Sequence, residues 1–274
     1  MGPGITRRDL LRLSAGTWLS LGLWPGRLRA GDSKSAEAFA FLAVNDLHFA
    51  EEKECGLWFE KAVLAMKQSA PDAEFCLLCG DLADKGEAGQ HGAVQAAFAG
   101  LGLPVHATIG NHDYLTHSDR SSYEEVFKNQ INYIVEHRGW QLVGIDTTAG
   151  DAWRDTMVSP ETLGWLRENL PRLDPRKPTI VFTHFPLGAD VPMRPLNADD
   201  LLTFFLDFNL CAALCGHFHG YTERWRGSAS LTTGRCCARI RDNHDGTKEK
   251  GWLVCRAMAS GEVKREFIEF KFPT

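Results

Sequence analysis

The sequence predicts an α/β fold on a largely parallel sheet extended by antiparallel strands, and three observations support it. Short apolar runs alternate with helix-spaced stretches through most of the chain. Two central runs are separated only by His137-Arg138-Gly139, a hairpin signal. From Tyr221 onward the chain reads mostly as successive strands. Alternation of strand and helix implies parallel strands covered on both faces, because each crossover helix packs back onto the sheet. With 274 residues, 44% of them hydrophobic, the chain has ample material for a core.

The elements follow in order. Residues 38–45 form an apolar strand and 57–68 have helical spacing. Residues 75–79 read as a buried strand, 88–101 as an alanine-rich helix, and Pro104 leads into a strand over 105–109. Strands over 131–136 and 140–146 make the hairpin. Ser159-Pro160-Glu161 opens a helix to residue 170, with Ser as N-cap and Pro in the first turn, where an N–H is not required. Then come a strand Thr179–Thr183, a helix over 199–208 and a strand Leu210–Cys215; the tail includes strands over 251–258 and 263–272. No repeat, low-complexity tract or linker divides residues 31–274, which read as one domain.

Charge divides the chain differently. Residues 1–30 carry five arginines and one acid, whereas the other 25 cations and 34 acids leave the body at -9. That acidity argues against general nucleic-acid binding, which needs a basic surplus to neutralise phosphates. Within the basic head, Arg7-Arg8 precede a 14-residue uncharged run over 13–26, followed by small residues at Ala30 and Gly31. A bilayer span takes about 20 residues, so no stable membrane span is expected. The segment resembles a twin-arginine signal peptide, which implies the twin-arginine export machinery as a partner and a periplasmic or extracellular destination. Of the eight cysteines, Cys76, Cys79, Cys211 and Cys215 fall in apolar strands and read as buried free thiols; Cys236-Cys237 has no assigned role.

Polar residues gather at the strand ends. Asp46 and His48 follow the first strand, Gly80-Asp81 the second, and Gly110-Asn111-His112-Asp113 the third. His184 follows Thr179–Thr183, and Gly216-His217-Phe218-His219 follows Leu210–Cys215. Five of the ten histidines sit in these motifs. Sites in open α/β sheets form beyond the carboxyl ends of strands, where loops converge. Each motif alone could be a turn or a hydrogen-bonded core group. Five in order, at five strand ends, point to a shared site of nitrogen and carboxylate donors, a set suited to transition metals such as Mn, Fe or Zn.

The ordered set D-x-H, G-D, G-N-H-D, H and G-H-x-H, over residues 46–219, resembles the calcineurin-like metallophosphoesterase superfamily. The resemblance implies a four-layer α/β/β/α sandwich with two mixed sheets and a dinuclear metal site at the strand C-terminal ends. It implies Asp81 as bridge, Asp46, His48 and His219 completing one metal, and Asn111, His184 and His217 completing the other. A deprotonated water held between the metals would attack phosphorus in line. His112 would protonate or stabilise the leaving oxygen, and Asp113 would orient His112. Asp84 stands where purple acid phosphatases carry their colour-giving tyrosine, which disfavours that subclass.

The expected function is an exported phosphoesterase acting on small-molecule mono- or diesters. The alternatives are a nuclease, disfavoured by the acidic body, and a metal- or phosphate-binding module without turnover. A serine hydrolase is disfavoured because no G-x-S-x-G occurs. Loops over 50–56, 114–123, 148–157 and 186–195 surround the expected site. They supply Lys53, Arg120, Arg154 and Arg194 as candidate anion contacts, and Tyr114 and Trp153 as groups that either stack on a base or cover the core.

Overall fold

Alternation at period two puts Phe39, Phe41 and Ala43 of β1 (Phe39–Val44) on one face and Leu42 and Val44 on the other, and both faces are buried. A strand apolar on both sides needs a layer above and below it. The computed structural model describes residues 36–272; the export segment read over 1–30 lies outside them. After β1 come α1 (Lys53–Ser69), β2 (Ala73–Cys79), α2 (Ala88–Ala99), β3 (Val105–Thr108), α3 (Ser121–Val126), β4 (Tyr133–His137) and β5 (Trp140–Ile145). They are followed by α4 (Pro160–Asn169), β6 (Thr179–Thr183), α5 (Ala198–Thr203), β7 (Leu210–Cys215), β8 (Thr222–Arg226), β9 (Ala229–Thr233), β10 (Gly251–Ala257) and β11 (Val263–Glu269).

The strands form two mixed sheets. One has the order β11-β10-β1-β2-β3, with β1, β2 and β3 parallel and β10 and β11 antiparallel. The other has the order β4-β5-β6-β7-β9-β8, parallel from β5 through β9 with antiparallel edges. Between the sheets, Phe41 and Phe75 stack at 5.0 Å among Trp140, Leu142, Phe182 and Leu214. Phe59, Met66, Val94 and Phe98 of α1 and α2 cover the outer face of the first sheet. Leu166, Leu201 and Leu202 of α4 and α5 cover that of the second. Three cores between four layers give the expected α/β/β/α sandwich; full burial of one such large apolar side chain contributes about 1.5–3 kcal/mol.

The local signals behave as their chemistry requires. The Ser159 hydroxyl accepts from Thr162 N at 3.1 Å, capping α4 with Pro160 in its first turn. Arg138 and Gly139 both have positive φ, the geometry of a two-residue hairpin turn matched to strand twist. Three elements differ from the sequence reading. α1 begins at Lys53 rather than at residue 57, because its charged first turn carries no apolar period. α5 ends at Thr203, beyond which the chain continues as tighter turns such as Leu206 N to Thr203 O. α3, six residues long with a polar start, lies where a loop was expected. The tail is also less uniformly antiparallel than expected, since β9 runs parallel to β7. Among the described residues, no helix is long and apolar enough to cross a membrane.

Candidate metal centre

All five motifs leave the carboxyl ends of parallel strands, β1, β2 and β3 in one sheet and β6 and β7 in the other. Their side chains therefore converge at one edge shared by both sheets. Asp46, His48, Asp81, Asn111, His184, His217 and His219 are all buried there. Five of them, Asp46, His48, Asp81, His217 and His219, hold positive φ. A non-glycine residue rarely adopts that conformation, and such strain persists only where the surroundings over-determine it. The glycines allow the close approach: a Cβ on Gly80 would stand 2.5 Å from the Cβ of His184, and one on Gly110 would meet Asp81.

Backbone N–H groups and the Asn45 side-chain amide aim the two carboxylates. Asp46 accepts from His217 N at 2.9 Å and from the Asn45 amide at 2.5 Å; Asp81 accepts from His112 N at 2.8 Å. Donor atoms of Asp46, His48, Asp81 and His219 lie within 4.8 Å of one another, as do those of Asp81, His184 and His217. Asp81 thus belongs to both groups. Asn111 Oδ1 joins the second, 3.1 Å from His184 Nε2.

The histidine tautomers follow from the outer contacts. His184 Nδ1 donates to Cys79 O at 3.2 Å, and His217 Nε2 donates to Trp153 O at 2.8 Å. The remaining ring nitrogens, His184 Nε2 and His217 Nδ1, then turn toward each other across 3.0 Å. Two facing lone pairs repel unless a cation lies between them. His219 likewise donates its Nδ1–H, to Asp242 O at 2.9 Å, which leaves Nε2 3.2 Å from His48 Nε2. Burial lowers His219, yet Asp46, 3.4 Å away, outweighs this and raises it to about 11. Burial and the neighbouring His184 push His217 down to about 3. Burial raises Asp46 and Asp81, but the imidazoles around them prevail and hold both below the usual carboxylate range. The His48/His219 and His184/His217 pairs each bring two ring nitrogens together, across 3.2 and 3.0 Å, an arrangement that a bound cation would relieve. The residues fit two metal ions, with nitrogen and oxygen donors and no thiolate.

His112 and Asp113 separate in role. His112 Nδ1 donates to the Asp84 carbonyl at 2.9 Å, and the ring lines a cavity of about 430 Å3 over the cluster. Asp113 does not orient it. Its buried carboxylate instead accepts from Leu82 N, Ala83 N and Gly110 N, each at 2.8 Å, and lies 3.1 Å from His91 Nε2. Asp113 therefore clamps the loop that carries Asp81 to the loop that carries Asn111 and His112. His91, on the buried side of α2, had no motif to mark it.

The expected anion contacts are also redistributed. Arg120 pairs with Asp146 at 3.0 Å and Arg194 with Asp199 at 2.8 Å, and Arg154 stacks on Trp153. Lys53 begins α1. Arg241, which the sequence did not single out, is the one Lys or Arg lining the cavity among the described residues; Asp242 and His244 accompany it from the same loop. Arg241 binds Asp84. Burial raises Asp84, but His48 and Arg241 outweigh it and bring it down to about 2. Cys76, Cys79, Cys211 and Cys215 are free and buried, as expected, and so are the other four cysteines; Cys236 lies 3.1 Å from Lys250 Nζ.

The profile of calcineurin-like phosphoesterases matches residues 39–221. No curated protein sequence matches the chain significantly. Among solved structures, a purple acid phosphatase from yellow lupin seeds superposes with a TM-score of 0.62 at 14% identity, covering 85% of this chain and 52% of that one. The chain thus spans about half of that phosphatase. GAP50, described as the anchor in the inner membrane complex of Plasmodium, has a TM-score of 0.62 at 12% identity, covering 85% and 84% of the two chains. TT1561 of Thermus thermophilus has a TM-score of 0.54 at 14% identity, covering 84% and 99%. At these identities the likeness concerns the fold. The profile match over most of the chain makes this protein a member of the calcineurin-like phosphoesterase family, and the paired donor groups around Asp81 accord with it.

Proposed function

We propose that this chain is an exported phosphoesterase that hydrolyses mono- or diesters of small molecules with two ions of Mn, Fe or Zn. The observation that carries the reading is Asp81, shared between two donor groups under a cavity of about 430 Å3. Asp46, His48, Asp81 and His219 would hold one ion, and Asp81, Asn111, His184 and His217 the other. When bound, the ions supply Lewis-acid polarisation of the phosphoryl group and acidify the attacking water. The chain does the rest. His112, its Nδ1–H committed to Asp84 O, has Nε2 available to carry a proton to the leaving oxygen. Asp113 keeps the Asp81 and His112 loops in register. Arg241, held by Asp84 at the cavity wall, adds positive charge where an anionic ester would enter.

The -9 charge of residues 31–274 supports small esters over nucleic acid. Residues 1–30 would be removed as a twin-arginine signal, leaving residues 31–274 as one domain. Hydrolysis of bis(p-nitrophenyl) phosphate and p-nitrophenyl phosphate tests the chemistry: chelation, or Asp81→Ala, should abolish it. Activity that survives either refutes the reading. Export is tested separately by changing Arg7 and Arg8 together to Lys, which should leave the precursor in the cytoplasm; unchanged export refutes that part.

A further inference from the structure

Trp153 is a large apolar side chain that folding leaves 50% exposed, in the loop between β5 and α4. It lines both the cavity of about 430 Å3 over the donor cluster and a second of about 230 Å3, and Asn111 and His112 also line both. Trp153 thus stands where the two cavities meet, with the histidine assigned to the leaving oxygen lining both as well. Arg154 covers one ring face, its guanidinium carbon 3.8 Å from the ring centroid, and lines neither cavity. With Arg154 on one face and half of the residue exposed, Trp153 keeps surface that borders both cavities. The main chain at Trp153 is tied to the cluster, since its carbonyl accepts from His217 Nε2 at 2.8 Å. Tyr114, Lys85, Asp84 and Asp151 also line the second cavity, so that space is bounded by a second aromatic residue and by charges of both signs.

We propose that Trp153 is a specificity-determining platform on which an aromatic leaving group stacks, so that the preferred substrates are phosphoesters whose departing alcohol carries an aromatic ring. The inference rests on the phosphoesterase reading for what departs toward His112. An exposed indole with one face already covered loses little freedom when a ring is laid on the other, and ring pairs gain attraction beyond their buried area. An alkyl group of equal bulk gains only the burial.

The test separates stacking from bulk and binding from turnover. Phenylphosphonate and cyclohexylphosphonate, which are not hydrolysed, are titrated calorimetrically into the Mn-loaded protein. The wild type should prefer the phenyl compound by about fivefold. Trp153→Ala should weaken phenylphosphonate by about tenfold and remove the preference, and Trp153→Phe should restore most of it. Equal wild-type affinity for the two phosphonates overturns the proposal, as does an unchanged preference in Trp153→Ala. A phenyl preference that depends on Trp153, in a protein that hydrolyses no phosphoester, would overturn the catalytic reading and leave the platform standing.

Discussion

Replacing Asp113 distinguishes a clamp from a partner of His112. Its carboxylate is fully buried and accepts three backbone N–H groups at 2.8 Å, from Leu82, Ala83 and Gly110. Asp113→Ala leaves three buried donors without partners, each costing about 1–3 kcal/mol. Since the three share one loop junction and part of the loss is relieved by movement, a total of about 4–6 kcal/mol is expected. For a domain of this size, about 1 kcal/mol corresponds to about 2–4 °C in Tm, so a fall of order 10–20 °C follows. Asp113→Asn keeps one oxygen for Leu82 and Ala83 but turns an NH2 toward Gly110 N, and should cost about half as much. Calorimetry on the Mn-loaded protein reads Tm, and the pH profile of kcat/KM reads His112. The clamp predicts a large fall in Tm with the profile unchanged in shape. An unaltered Tm with a displaced acid or base limb would refute it and restore Asp113 as the group that orients His112.

Three further outcomes follow from the same contacts. His112→Ala should lower kcat by about 10²–10⁴ for alkyl esters, and less for p-nitrophenyl esters, whose leaving group needs no proton; metal content by elemental analysis should not change, and equal losses on both ester types would count against His112 as proton donor. The eight buried thiols should resist Ellman's reagent until the protein is unfolded, since burial pushes Cys215 and Cys255 up to about 12; rapid labelling of the native protein would contradict this. Arg120→Met should destabilise by about 1–3 kcal/mol at pH 7 by leaving the buried Asp146 carboxylate without its 3.0 Å partner. Burial already raises the Asp146 pKa in the fold, so its protonated form is favoured there and stability is lost as pH rises through that pKa. The Tm deficit of Arg120→Met should therefore shrink as pH falls from 7 toward 4, and a deficit independent of pH would remove Asp146 as its cause.

Much of the architecture is legible along the chain because it is written in local periods. The alternation of Phe39, Phe41 and Ala43 with Leu42 and Val44 already demands two covered faces. Ser159-Pro160 starts α4, and Arg138-Gly139 turns β4 into β5. The metal-ligand candidates are legible for the same reason: each motif sits at the end of an apolar strand, and the structure gathers all seven candidates. α3 escaped because six residues carry too little period to read.

What the sequence by itself determined is the order of strands and helices and which polar residues stand at the strand ends, since these depend on neighbours only a few positions apart. The tertiary structure alone decided how those residues are used. His48 and His219 face each other across a separation of 171 positions, and the histidine tautomers are set by carbonyls of Cys79, Trp153 and Asp242 that no motif marks. Asp113 stands next to His112 in sequence, but the turn at Asn111–Asp113 sends its carboxylate inward to Leu82, Ala83 and Gly110. Arg241 and Trp153 come from the β9–β10 and β5–α4 loops, distant in sequence, which meet at one cavity. Side-chain direction in a tight turn and the meeting of distant loops are consequences of packing, and packing is not written in any local pattern of residues.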